Sequence, residues 1–199
     1  MTDGELVARA VDGDPGAYDD LFRRHYARVY NLALRLDGNH ANAEDIAQTA
    51  FLRAHGSLGR LRDGQAFLKF VYRIAVNLVR DRAKAARRRP LALFGDLWRP
   101  GRQSADEGGG EDPRLADVEA DPARRTVELE RDRALLAAIA ALSLDQREVV
   151  VLHHLEGLGV RQIAETLGVR EGTVFSRLGR ARQRLREALR GWFEAEEET

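Results

Sequence analysis

Arg170, Thr173, Ser176, Arg177, Arg180 and Arg184 have the types and spacing of a surface that grips a polyanion. On a helix they share one side, while Val174, Leu178, Ala181 and Leu185 recur at i, i+4, i+7 and i+11 on the other. Guanidinium forks match guanine O6 and N7 or a phosphate, and short hydroxyls reach base edges. A helix with an apolar back and an Arg/Ser/Thr front therefore suits a DNA major groove. The competing reading is an amphipathic helix with a merely solvated basic face. Charge asymmetry speaks against it: Val160 to Gly191 holds eight Arg against three acids, in a chain whose net charge is zero.

Such a helix needs a partner to hold it. Val160, Ile163, Ala164 and Leu167 give the preceding segment an apolar face at i, i+3, i+4 and i+7. Gly168 follows, where a left-handed backbone permits a tight turn between two helices. The pattern from Gly157 to Leu189 predicts a helix-turn-helix.

A second basic stretch lies earlier. Between Arg60 and Arg89 there are ten Lys or Arg against two acids, interleaved with Phe67, Phe70, Tyr72 and Asn77. Cations that follow phosphates and rings that stack on bases are what single-stranded nucleic acid requires. Phe67, Phe70 and Ile74 share a helical face, which equally fits core; Tyr72, off that face, is the better stacking candidate. Residues 1–89 sum to +5, 90–125 to −3, 126–159 to −3, 160–191 to +5 and 192–199 to −4, so two basic lobes flank an acidic middle.

Helical periodicity accounts for the remainder, with no run of strand period. Asp14 to Leu36, Ala41 to Ala54 and Ala66 to Arg88 read as helices, with a glycine-containing loop from Gly56 to Gln65. From Pro90 to Arg125 periodicity is lost among four prolines and many acids, which reads as a flexible linker. Leu91, Leu93, Phe94, Leu97 and Trp98 form an apolar island within it. A helix from Thr126 to Leu142 follows, and Ser143 with Gln146 fits a capping box for the next. The expected fold class is all-α: two small helical domains, 1–89 and 126–191, joined by the acidic linker 90–125, the C-terminal one a helix-turn-helix, with an acidic tail over 192–199.

Chemistry of other kinds finds little support. Cysteine is absent, which removes disulfides, thiolate nucleophiles and Cys-based zinc sites. The N-terminus lacks the basic start and apolar core of a signal peptide, and no apolar run approaches a membrane span, so no membrane insertion and a cytoplasmic location are expected. There is no Gly-rich phosphate loop, and His153 and His154 as helix neighbours point about 100° apart, unsuited to chelating one metal. Neither enzymatic activity, a cofactor nor a metal is expected.

Two stretches resemble one family, the extracytoplasmic-function sigma factors of bacterial RNA polymerase. NAEDIAQTAFLRAH from Asn42 to His55, followed by AFLKFVYRIAVNLVRDRAKAARRR from Ala66 to Arg89, is similar to the family's second domain. The segment from Leu142 to Leu189 is similar to its fourth. The resemblance implies a factor that binds core RNA polymerase and directs promoter-specific initiation. It implies polymerase docking by the helix with Asp45 and Gln48, and reading of the upstream-ten element as single-stranded DNA by Arg60, Arg62, Lys69, Tyr72, Arg73, Asn77 and Arg80. Arg170, Thr173, Ser176, Arg177 and Arg180 fall where the family reads the upstream-thirty-five element as duplex. An anti-sigma factor is implied as a further partner. The sequence departs from the family at Ser143, where Pro is frequent; at Arg170, where Ser or Thr usually caps; at Arg161 and Gln162, where an acid is usual; and at Phe175, where Lys is frequent. The alternative is a helix-turn-helix transcriptional regulator that binds its operator without core polymerase.

Overall fold

The N-terminal helix α1 (Asp3–Val11) is too short for periodicity to reveal, and a capping box sets it: the Thr2 hydroxyl accepts from the Glu5 amide at 3.3 Å, and the Glu5 carboxylate accepts from the Thr2 amide at 2.7 Å. It buries Leu6 and Val7. Helix α2 (Pro15–Asp37) starts at an Asp14 cap with proline at its first position and stops at Gly38. Helix α3 (His40–His55) begins at Asn39, whose side chain accepts from the Asn42 amide. Two short 3-10 turns, Leu58–Arg60 and Gly64–Ala66, break up the expected loop before α4 (Phe67–Arg88). The computed structural model describes residues 1–61, 63–88 and 122–190, with 122–129 described by backbone alone.

Helix α5 (Pro122–Ala141) begins four residues earlier than its apolar spacing indicated, with a proline at the first position, where a missing N–H costs nothing. Helix α6 (Leu144–Val150) runs into a π-helical turn, Val151–Leu155. Ser143 stands at the N-cap position without making the expected side-chain cap, and Gln146, buried, does not supply the reciprocal half of the box. Helices α7 (Val160–Leu167) and α8 (Glu171–Ala188) form the expected helix-turn-helix. Gly168 between them has φ 66° and ψ 37°, the left-handed conformation the turn requires. The linker 90–121, with its apolar island, and the acidic tail lie outside the described residues.

Among the described residues every element is helical, in two packed groups joined by a linker, as the sequence indicates. In the first group α2 packs on α3 and α4, and α1 closes one end. Its centre is Leu21, Val29, Leu32, Ile46, Phe51, Phe67 and Val71; each large apolar side chain so buried contributes about 1.5–3 kcal/mol. The chain passes so close at Gly64 that a Cβ there would lie 2.8 Å from the Gly4 Cα; only glycine lets the turn before α4 rest on α1. In the second group α8 lies across α6 and α7, with Val149, Leu152, Ile163, Leu167, Val174 and Leu178 buried. The apolar core is continuous between the groups, with α4 packed against α7 and α2 against the π-helical turn.

Candidate nucleic-acid and polymerase interfaces

The loop between α3 and α4 frames a cleft of about 650 Å³. Arg53, Arg60 and Arg73 supply its charge, and Leu61, Phe70 and Ile74 its apolar wall. Ser57 and Asn77 offer hydroxyl and amide groups. The Arg73 guanidinium lies 5.5 Å from the Phe70 ring centroid, a cation–π contact that holds both at the rim. A cleft with cationic edges, an aromatic wall and an amide matches what an unstacked base and its phosphates require.

Of the residues expected at single-stranded DNA, Arg60, Arg73 and Asn77 come together here. Lys69 is half-buried outside the cleft lining, and Arg62 lies outside the described residues. Tyr72 corrects the sequence reading: it is 0% exposed, and its hydroxyl donates to Glu156. The aromatic ring that lines the cleft is Phe70. Sequence periodicity assigned Phe70 and Phe67 to one face, but only Phe67 is fully buried.

Arg80 is likewise turned from the cleft toward the second group of helices. Its Nε and Nη2 donate to the two Glu148 oxygens at 2.7 and 2.6 Å, and its Nη1 donates to the Leu167 carbonyl at 3.2 Å, at the C-terminus of α7. Glu148 is fully buried, and burial pushes its carboxyl above the usual range against the pull of Arg80. Glu156, the acceptor for Tyr72, also pairs with Arg35 at 3.4 Å and Arg28 at 3.6 Å. Arg147 donates at 2.8 Å to the Leu36 carbonyl in the last turn of α2. Sequence reading missed these carboxylates: Glu148 closes the polar run Asp145, Gln146 and Arg147 just before Val149, and nothing local distinguishes it from a solvated acid.

On α3, Asp45 and Gln48 are both exposed. Asp45 pairs with Arg82 at 3.2 Å, and Gln48 donates to Glu44 at 3.2 Å. Leu52, one further turn along the same face, is 74% exposed. This exposed apolar side chain extends the polar face of Asp45 and Gln48, which the reading of α3 by its buried residues alone overlooked.

On α8, Arg170, Ser176 and Arg180 are exposed and Thr173 partly so. Arg170 occupies the N-cap without a capping bond, and the Ser176 hydroxyl donates to the Thr173 carbonyl at 3.0 Å. Arg177 is different: only 16% of its side chain is exposed, and it pairs with Asp145 on α6 at 3.0 Å. Phe175 is 62% exposed, and Gly172 and Gly179 leave open space beside it. Gly179 in mid-helix costs about 1 kcal/mol relative to alanine. His153 Nδ1 lies 2.9 Å from the Leu158 carbonyl, and no group of three metal-ligating side chains occurs among the described residues.

Known proteins supply a common identity for the two basic regions. The family model described as Sigma-70 region 2 matches residues 21–89, and that described as Sigma-70, region 4 matches residues 132–185. The chain is 35% identical to the ECF RNA polymerase sigma factor SigM of Mycobacterium tuberculosis, over 94% of this chain and 85% of that one. It is 32% identical to SigW of Bacillus subtilis, over 92% and 95%. Among solved structures, that of CnrH in complex with the cytosolic domain of CnrY matches with a TM-score of 0.65 and 25% identity, covering 96% of this chain and 99% of CnrH. Two family matches in this order, with relatives aligned along nearly the whole chain, establish that this protein belongs to the extracytoplasmic-function sigma factors of the sigma-70 family.

Proposed function

We propose that this sigma factor reads its promoter at two places and docks on core RNA polymerase at a third. The observation that carries the proposal is the cleft beside the α3–α4 loop, where Arg60, Phe70, Arg73 and Asn77 converge on an open space roomy enough for an unstacked nucleotide. In this reading the cleft receives the upstream-ten element as single-stranded DNA, with Arg62 and Lys69 on the flanking phosphates. Arg80 joins only when the second group of helices moves off α4. Arg170, Thr173, Ser176 and Arg180 read the upstream-thirty-five element as duplex, and Arg177, braced by Asp145, holds α8 at the angle of entry. Asp45, Gln48 and Leu52 form the polymerase-facing stripe.

The functional division follows: 1–89 for docking and the single-stranded element, a linker from 90 that ends where α5 begins at Pro122, the helices from there to 191 for the duplex element, and 192–199 as tail. Sigma factors are regulators of transcription; we assign this chain no catalysis of its own. No helix among the described residues is long and apolar enough to cross a membrane, and we place the protein in the cytoplasm with its polymerase. By likeness to CnrH, solved with the cytosolic domain of CnrY, a dedicated anti-sigma protein belongs among its partners.

The test is transcription in vitro from a genomic fragment library, with and without core RNA polymerase. Discrete new start sites that share two upstream motifs and require both proteins are expected. A sharp footprint from this protein alone, with no polymerase-dependent starts, would replace the reading with that of an independent helix-turn-helix regulator.

A further inference from the structure

Phe175 has no role in the fold. It is 62% exposed on the first half of α8, while the apolar side of that helix is complete without it in Val174, Leu178 and Ala181. Nothing flanks the ring on its outer side: Gly172, three residues before, and Gly179, four after, lie within about 60° of it around the helix. A Cβ at either glycine would meet no heavy atom within 4 Å, so neither is glycine to relieve crowding, and neither has a positive φ. A helix that accepts two unneeded glycines beside a protruding phenyl ring has a bare strip of backbone next to an apolar knob. Beyond the strip stand Ser176 and then Arg180, both exposed.

We infer that Phe175 is a specificity-determining residue that reads a thymine in the duplex promoter element by packing on its 5-methyl group, with Gly172 and Gly179 letting the helix backbone come close to the base edges. The inference rests on the assignment of α8 to duplex DNA. The occupant follows from chemistry: the C5-methyl of thymine is the apolar feature of the major-groove edge, a phenyl ring is among the side chains that contact it, and the early residues of a recognition helix are those that reach bases. Arg170 and Arg180, five residues before and after, stand about 140° from the ring around the helix, where they can hold phosphates beside the groove, and the exposed Glu171 lies nearer, at about 40°. The same position cannot serve as a phosphate contact, because a phenyl ring has no donor.

Holoenzyme assembled from core polymerase and the full chain would be used to select duplexes from a library randomised upstream of a fixed start region, in parallel for the natural chain and Phe175→Ala. The natural chain is expected to select a thymine at one position that Phe175→Ala no longer prefers, with the other positions unchanged. In the selected duplex, deoxyuridine in place of that thymine should weaken binding about fourfold for the natural chain, the worth of one buried methyl-sized group, and not at all for Phe175→Ala. Gly179→Ala should raise the Tm of the free protein and yet lower affinity for the selected duplex. Identical base preferences in the two selections, an undiminished deoxyuridine penalty in Phe175→Ala, or unchanged affinity in Gly179→Ala would overturn the inference while leaving the duplex-reading role of α8 intact. Loss of holoenzyme assembly in Phe175→Ala with base preferences retained would make the ring a protein contact and overturn it too. No selected upstream motif at all would remove the assignment of α8 along with it.

Discussion

Helix α4 carries two sets of candidate site residues with opposite surroundings. On one side Phe70, Arg73 and Asn77 open into the cleft; on the other Tyr72 and Arg80 are covered by the second group of helices. In the sequence both sets are the same mixture of arginine and aromatic, and the resemblance assigns them the same role. What separates them is the pair of acids opposite: Glu148 and Glu156 face the covered side, while the cleft's rim carries three arginines. Basic residues in a nucleic-acid-binding protein thus divide into those ready for a phosphate and those already holding a carboxylate in its place.

The sharpest way to break this contrast is to remove one arginine from each side. Arg80→Ala strands a buried carboxylate and should cost about 3–5 kcal/mol of stability in urea unfolding. Without its partner Glu148 would hold its proton to still higher pH. A carboxyl raised in the folded state loses stability as pH rises, so the deficit should be larger above neutrality than in acid. Replacing both partners by apolar residues, Arg80→Met with Glu148→Leu, should recover most of the loss. Arg73→Ala, exposed and free of such a partner, should change stability by no more than about 0.5 kcal/mol while impairing transcription from the protein's own promoters. Equal stability losses at the two positions would abolish the distinction.

Tyr72→Phe tests the covered side with a single oxygen. Burial first, then the hydrogen bond to Glu156, raises the Tyr72 hydroxyl pKa, so it remains a donor at neutral pH. Its removal should cost about 1.5–3 kcal/mol, near the lower figure because Arg28 and Arg35 still face Glu156. No measurable loss would mean that Glu156 is held by the arginines alone.

The smallest expected effect concerns His25, buried beneath the first group. Its Nε2 meets Asp3 at 2.7 Å and its Nδ1 has no partner among the described residues. Burial lowers its pKa below 6.5, against the pull of Asp3 and with the push of Arg24 and Arg28. The unfolded chain then binds more protons just below pH 6.5, so this contribution to stability is complete above that value and is lost as pH falls through the lowered pKa. His25→Gln should flatten that part of the stability profile. An unchanged slope would place the titration elsewhere.

Much of this was legible before any coordinates. Local rules reach as far as one helix and its turns, and Gly168, the apolar stripes of α7 and α8, and the extent of α3 and α4 follow from them. Arg60, Arg73 and Asn77 could be grouped because they lie within one loop and the helix after it. Tyr72 and Arg80 were misplaced because their partners lie 84 and 68 positions away, across a linker to which no periodicity applies. The short helix α1 escaped because a capping box, and not an apolar stripe, is its signature.

Under the role proposed for Arg80, its grip by Glu148 would also make the protein a reader of salt. For Arg80 to reach a phosphate it must first leave a carboxylate that is wholly out of water. Dissolved ions compete strongly for DNA phosphates, and affinity for DNA falls steeply as they accumulate. They screen a partly buried ion pair such as this one much less. Rising ionic strength therefore weakens one side of the exchange and spares the other, moving the balance toward the packed arrangement without any dedicated sensor.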